Sequence, residues 1–81
     1  MAKVLKFTKQ NCIPCEQVTS WLNANRIQYE SINPFDNPEL AIKFKVKTVP
    51  TVLILDGDVV KERIKGFNPD ELQKHLLEFI F

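Results

Sequence analysis

The run K-V-L-K-F-T-K-Q-N-C-I-P-C, residues 3–15, decides the fold. Its first part, Lys3 to Thr8, is short and rich in β-formers, and reads as a strand buried on at least one face. Gln10-Asn11 breaks it. Pro14 then stands near a helix start, where its missing N–H costs nothing. Val18, Trp21, Leu22 and Asn25 recur at helical spacing, which predicts an amphipathic helix over Ile13 to Arg26. A strand therefore runs directly into a helix, and Cys12 and Cys15 lie at the junction.

The rest of the chain continues the alternation. Ile27 to Ile32 (I-Q-Y-E-S-I) has period two, the pattern of a strand with one face on the core. Asn37-Pro38 opens a short helix, with Asn37 as its cap and Leu40, Ala41 and Phe44 against the sheet. Lys45 to Val49 is a loop. Thr51 to Leu55 is a continuous apolar run, which suits a central strand covered on both faces. Pro50 stands at its beginning, where a strand tolerates proline. Asp56-Gly57 is a hairpin signal, and Val59 to Lys65 is the antiparallel partner. Gly66 ends that strand. In Asn68-Pro69-Asp70-Glu71, Asn68 caps, Pro69 takes the first helical position, and Glu71 is placed to close a capping box. Leu72, Leu76, Phe79 and Ile80 form the buried stripe of this last helix. The order is β-α-β-α-β-β-α. The first two strands flank a crossover helix and are parallel, and the last two form a hairpin. The fold class is α/β, a four-stranded mixed sheet flanked by helices.

With 81 residues the chain has room for one domain, residues 1–81, and its core is thin. Hydrophobic residues make up 44% and charged residues 26%, which excludes a disordered chain. Eleven basic residues against ten acidic ones leave a net charge of +1, so nothing electrostatic points to nucleic acid or an anionic membrane. The apolar stretch Thr48 to Leu55 is far short of the roughly 20 residues needed to span a bilayer. Lys3, Lys6 and Lys9 interrupt the N-terminal segment, so it has no signal-peptide core, and a cytoplasmic protein is expected. Nothing demands more than a monomer.

Chemistry concentrates at the two cysteines. They are too few for a secreted disulfide scaffold. In a reducing compartment such a pair is a redox couple, half of a metal site, or two structural thiols. The first turn of a helix aims unpaired N–H groups at Cys12 and favours its thiolate, commonly lowering such a pKa to about 3.5–7.5. Cys15, one turn on, is placed to reach the Cys12 sulfur. Ile13 and Pro14 shape the turn between them. Cys12 is thus the expected nucleophile and Cys15 the resolving thiol, with a redox-active Cys12–Cys15 disulfide as product. A zinc site needs four ligands, and the chain offers only Cys12, Cys15 and His75, so no metal is expected.

The strand followed by C-I-P-C, together with Ala41 to Val60 (A-I-K-F-K-V-K-T-V-P-T-V-L-I-L-D-G-D-V-V), resembles the thioredoxin superfamily over nearly the whole chain. The resemblance implies a thioredoxin-like fold and a dithiol–disulfide oxidoreductase. It implies that Pro50 is cis and lies against the dithiol, and that Val49 offers its backbone to an extended substrate by strand addition. Gly66 matches a family glycine that lets substrate approach, with a plain turn as the alternative. Pro14 takes the third motif position, as in thioredoxins. Glutaredoxins usually place proline second and add a Gly-Gly-Asp type segment for glutathione, which Lys65 to Asp70 lacks. Instead Lys65 to Leu72 (K-G-F-N-P-D-E-L) is similar to the end of small glutaredoxin-like proteins that donate electrons to ribonucleotide reductase.

That likeness implies disulfide-containing protein substrates, ribonucleotide reductase among them. It also implies recycling by a thioredoxin reductase-like flavoprotein, electrons ultimately from NADPH, and no bound cofactor. A glutathione-dependent glutaredoxin and a non-catalytic module binding metal or a partner are the alternatives. Two residues depart from the thioredoxin pattern. Asn11 stands where thioredoxins carry tryptophan, and the chain's own Trp21 reads as packing. Lys6 stands where they carry a buried aspartate thought to deprotonate the second cysteine. A lysine cannot be that base at neutral pH unless its pKa is strongly lowered, and a solvent-facing side chain is the plain reading. Lys9, Lys45 and Lys47, against Glu16, are either a solvated loop or a surface for an acidic partner.

Overall fold

The computed structural model describes residues 2–77. Four strands form one sheet: β1 (Ala2–Phe7), β2 (Glu30–Ile32), β3 (Thr51–Asp56) and β4 (Val59–Lys65), in the order β2-β1-β3-β4. β1 and β2 are parallel, and the β1/β3 and β3/β4 pairs are antiparallel. The helices are α1 (Ile13–Ala24), α2 (Pro38–Lys43) and α3 (Pro69–Leu72), and a π-helical turn, Gln73–Leu77, continues α3. The expected element order and sheet are present.

β3 is the spine. Thr51 to Leu55 are all buried, because the two faces of β3 feed two separate apolar layers. Val52 and Ile54 join Val18 and Leu22 of α1 and Leu72 and Leu76 beyond β4. Leu53 and Leu55 join Leu5 and Phe7 of β1 with Phe44 and Val46 after α2. Trp21 packs at the margin of the first layer, as its helical position predicted. Phe79 and Ile80 lie outside the described residues.

Several local expectations change. α1 stops at Ala24, two residues before the predicted Arg26. Arg26 adopts φ 56°, its N–H donates to Asn23 O, and the N–H of Ile27 donates to Leu22 O at 3.0 Å. These are the two bonds of a Schellman helix end, with a left-handed arginine where glycine is usual. The strand predicted from Ile27 is shortened for the same reason. The N–H of Ile27 is committed to α1, and pairing with β1 begins only where Glu30 meets Leu5. α2 ends alike, with Lys45 at φ 56° and the N–H of Val46 donating to Ala41 O at 2.8 Å. The Arg63 guanidinium donates to the carbonyls of Phe44 and Lys45, completing that end.

Asn37 precedes α2 but its side chain makes no capping bond; it donates to Asn33 O instead. Asn68 does cap α3, its Oδ1 accepting the Glu71 N–H, yet the Glu71 carboxylate meets His75 at 2.9 Å rather than closing a box. The hairpin turn is Gly57-Asp58, one residue later than Asp56-Gly57, with Gly57 at φ 63°. A bulge interrupts the β3/β4 register at Ile54/Leu55.

Lys6 corrects the sequence reading most. It is 4% exposed. Alternation along β1 puts it on the face of Val4, which α1 covers, so it cannot reach solvent as a solvent-facing lysine would. Burial pushes its ammonium below the ordinary value of 10.5.

Two predictions follow from this architecture. Arg26→Gly relieves a left-handed backbone conformation and is expected to stabilise the fold by about 0.5–1 kcal/mol, read from urea unfolding midpoints. Between the lowered folded pKa of Lys6 and 10.5 the unfolded chain binds more protons than the folded one, so this group makes stability rise with pH there. Unfolding the disulfide form of wild type and Lys6→Met as pH rises towards 10.5 is expected to show the rise as a pH-dependent difference between the two proteins. A difference independent of pH would contradict it.

Candidate active site

Cys12 is held at the end of a strand by backbone geometry. After β1 the chain turns through Asn11 at φ 57°, a left-handed conformation that asparagine tolerates, and delivers Cys12 as the N-cap of α1. Cys12 is extended (φ −125°, ψ 106°), and its carbonyl accepts the N–H of Glu16 at 3.1 Å. Its sulfur accepts the N–H of Cys15 at 3.2 Å. That is the capping bond a serine or aspartate oxygen makes elsewhere, here given to a sulfur. Pro14 lies within the first turn and offers no competing N–H.

Cys12 and Cys15 form a disulfide with their Cα atoms 5.2 Å apart. The two sulfurs are unequal in access. Cys15 is 1% exposed and Cys12 8%, while Ile13 between them stands 71% exposed. Reagents from solution therefore meet Cys12 first.

The β1/β3 ladder brings the other predicted residues to this end of the sheet. Phe7 pairs with Thr51, so the turn leading to Cys12 lies beside the entry to β3. The Val49–Pro50 peptide bond is cis, and Pro50 is buried. Thr51 Oγ1 donates to Thr48 O at 2.7 Å, and the N–H of Gly66 donates to Pro50 O at 2.8 Å, pinning this entry from both sides. Gly66 has φ 72°, and a Cβ there would meet nothing within 4 Å. Its backbone conformation, not crowding within the protein, is what calls for glycine.

A groove of about 430 Å³ runs past Val49, bordered by Lys9, Phe35 and Lys47. A shallower one follows Ile13, Glu16, Trp21 and Phe67. The three lysines singled out in the sequence thus divide. Lys9 and Lys47 share the groove at Val49, whereas Lys45 faces another hollow with Arg63 and Lys65, which Lys47 also borders. His75 meets Glu71 at 2.9 Å and Glu62 at 3.6 Å. Among the described residues no group of three or more His, Cys, Asp or Glu side chains could hold a metal ion.

Sequence reasoning missed what lies behind the disulfide. The Lys6 ammonium donates to Thr19 Oγ1, and the Thr19 hydroxyl donates to the Cys15 carbonyl at 3.1 Å. The Tyr29 ring lies 4.7 Å from the same ammonium. Two signals were available: the shared parity of Val4 and Lys6, and the four-residue spacing from Cys15 to Thr19.

The glutaredoxin family model matches residues 4–60. The chain is similar to the SPbeta prophage-derived thioredoxin-like protein YosR of Bacillus subtilis (strain 168), with 36% identity over 77 residues, covering 94% of this chain and 96% of that protein. It is also similar to the glutaredoxin-like protein NrdH of Lactococcus lactis subsp. lactis (strain IL1403), with 30% identity over 74 residues, covering 88% and 96%. Among solved structures, thioredoxin NaTrxh from Nicotiana alata superposes with a TM-score of 0.83 at 28% identity, over 95% of this chain and 71% of that one. No helix of the described residues is long and apolar enough to cross a membrane. A thioredoxin-like sheet, a disulfide at the N-terminus of its first helix and a family match across more than half the sequence make one statement: the chain belongs to the glutaredoxin family and is a disulfide oxidoreductase.

Proposed function

We propose that the protein is a dithiol electron donor that reduces protein disulfides, with Cys12 as nucleophile and Cys15 as resolving thiol. The observation that carries this is the capping geometry: the more exposed sulfur sits at the helix N-terminus, bonded to a buried partner one turn on. In the reduced protein the Cys12 thiolate attacks a substrate disulfide. A Cys12–substrate bond forms, the substrate S–S bond breaks, and the first substrate thiolate leaves. Cys15 then loses its proton and attacks the Cys12 sulfur. The mixed disulfide breaks and the second substrate thiolate leaves. Two electrons have passed to the substrate, and the chain holds the Cys12–Cys15 disulfide.

Val49 and the cis Pro50 lead into β3, whose first residue Thr51 pairs with Phe7 at the end of the strand that delivers Cys12, a placement suited to aligning a substrate backbone. Ile13 and Pro14 shape the turn, and the left-handed Gly66 leaves open space at its border. The likeness to small glutaredoxin-like proteins supports ribonucleotide reductase as client. It also supports a thioredoxin reductase-like flavoprotein, fed by NADPH, as the source of electrons. The reading assigns the protein to the cytoplasm, as a single-domain monomer. One observation favours a second reading: Lys9 and Lys47 border the groove at Val49, where a carboxylate of glutathione would be favourably placed.

Cys12→Ser is expected to reduce turnover to the uncatalysed rate. Cys15→Ser is expected to accumulate mixed disulfides through Cys12, seen as mass adducts that dithiothreitol removes. An absence of adducts with every disulfide tried would overturn the assignment of roles. The reductant is tested by NADPH consumption on the oxidised protein, with thioredoxin reductase in one arm and glutathione plus glutathione reductase in the other. Turnover in the first arm alone is expected; turnover only in the second establishes the glutathione reading.

A further inference from the structure

Among the described residues, the buried Lys6 ammonium has no carboxylate against it. The described side chains that face it are a hydroxyl and an aromatic ring. From α1 comes the Thr19 hydroxyl; from the segment before β2, the Tyr29 ring, whose own hydroxyl donates to Asn23 Oδ1 at 3.0 Å. Its strand partners are Ser31 and Val52. Glu30 on β2 pairs with Lys3 at 3.2 Å instead, and Glu16 on α1 is exposed. Among the described residues Lys6 makes no ion pair. A buried charge with no opposite charge is costly, and an apolar residue of similar length would pack there more cheaply. A cation–π contact and one hydroxyl hold the ammonium in place without neutralising it.

Its position relative to the disulfide is what gives the charge a use. Through Thr19 it lies two hydrogen bonds from the carbonyl of Cys15, the more buried cysteine of the pair. We propose that Lys6 is a positioning residue for the dithiol: its buried ammonium, held against α1 by Thr19, stabilises the reduced, thiolate form of the Cys12–Cys15 pair and raises its reduction potential. This rests on the reading of that pair as one that cycles.

The balance is simple. The disulfide is neutral. Reduction adds two electrons and one proton and leaves one thiol and one thiolate. A fixed cation nearby favours the side that carries the negative charge, adding to the field of the helix N-terminus. Lys6 does not take the Cys15 proton. Its hydrogen-bond path ends at a carbonyl oxygen, which has no proton to relay. Its effect is electrostatic, favouring the single thiolate of the reduced pair.

The test is the reduction potential of the full chain, equilibrated in dithiothreitol and glutathione redox buffers at pH 7 and read from the fraction of disulfide by alkylation and mass. Neither client nor reductase is present, so the result does not depend on their identity. Lys6→Met is expected to shift the equilibrium constant toward the disulfide by about tenfold, about 30 mV more negative for a two-electron couple. Lys6→Arg, which keeps the charge, is expected to stay within about twofold of wild type. Thr19→Val, which keeps the charge but removes its anchor, is expected to shift in the same direction by less. A Lys6→Met potential equal to wild type, or equal shifts in the Met and Arg variants, would show that Lys6 only fills space and would overturn the proposal. If Lys6→Met fails to fold, Thr19→Val decides, and an unchanged potential there overturns it. A wild-type pair that never equilibrates between dithiol and disulfide would instead remove the redox reading of the site.

Discussion

The antiparallel pairing of β1 with β3 is the constraint on which the site depends. It runs without a break from Ala2 opposite Asp56 to Phe7 opposite Thr51. Side chains of β3 leave alternately for two apolar layers, so a slip of one residue would turn Val52 and Ile54 out of one layer and Leu53 and Leu55 out of the other. The burial of all of these residues therefore fixes the register. Register in turn fixes chemistry, because the end of β1 launches Cys12 while the start of β3 carries Pro50. Two segments far apart in sequence meet at one end of the sheet.

Much of this was legible in the sequence because it is written locally. A run of β-formers announced β1, a continuous apolar run β3 and the Asp56-Gly57 signal β4, and proline near three helix starts marked α1, α2 and α3. The cysteine pair at a strand-to-helix junction announced the site. What escaped depended on competition for hydrogen bonds or on tertiary contacts. The alternation of Ile27 to Ile32 does not carry over into burial, since Ile27 and Ile32 are both buried at opposite parities, and the N–H of Ile27 belongs to the end of α1 and not to the sheet. Glu71 has the right spacing for a capping box, but His75, one turn on, takes its carboxylate. Lys6 read as a surface charge because its chemistry is polar, although its parity with Val4 pointed inward. Its partner Thr19 emerges only when α1 lies across β1.

The family match and the fold likeness describe different levels of the same molecule. The glutaredoxin model covers the strand, the cysteines and the hairpin start, residues 4–60, while the backbone superposes on a plant thioredoxin over almost its entire length. The cysteines stand at the N-terminus of α1, within the residues that the family model matches. Around the cysteines stand the Lys6 ammonium, bonded to Thr19, the left-handed Asn11 in the turn before Cys12, and Lys9 and Lys47 at the groove past Val49.

The shape of the sheet margins also bears on how such a small protein meets others. The outer strands of any open sheet expose backbone that can recruit foreign chains. Here one margin, β2, is three residues long. The other, β4, is bent by the bulge at Ile54/Leu55 and carries Lys61, Arg63 and Lys65 at alternate positions. Both margins are thus poor templates for adventitious pairing, which guards against self-association. The groove past Val49 opens instead at the entry to β3, an inner strand of the sheet.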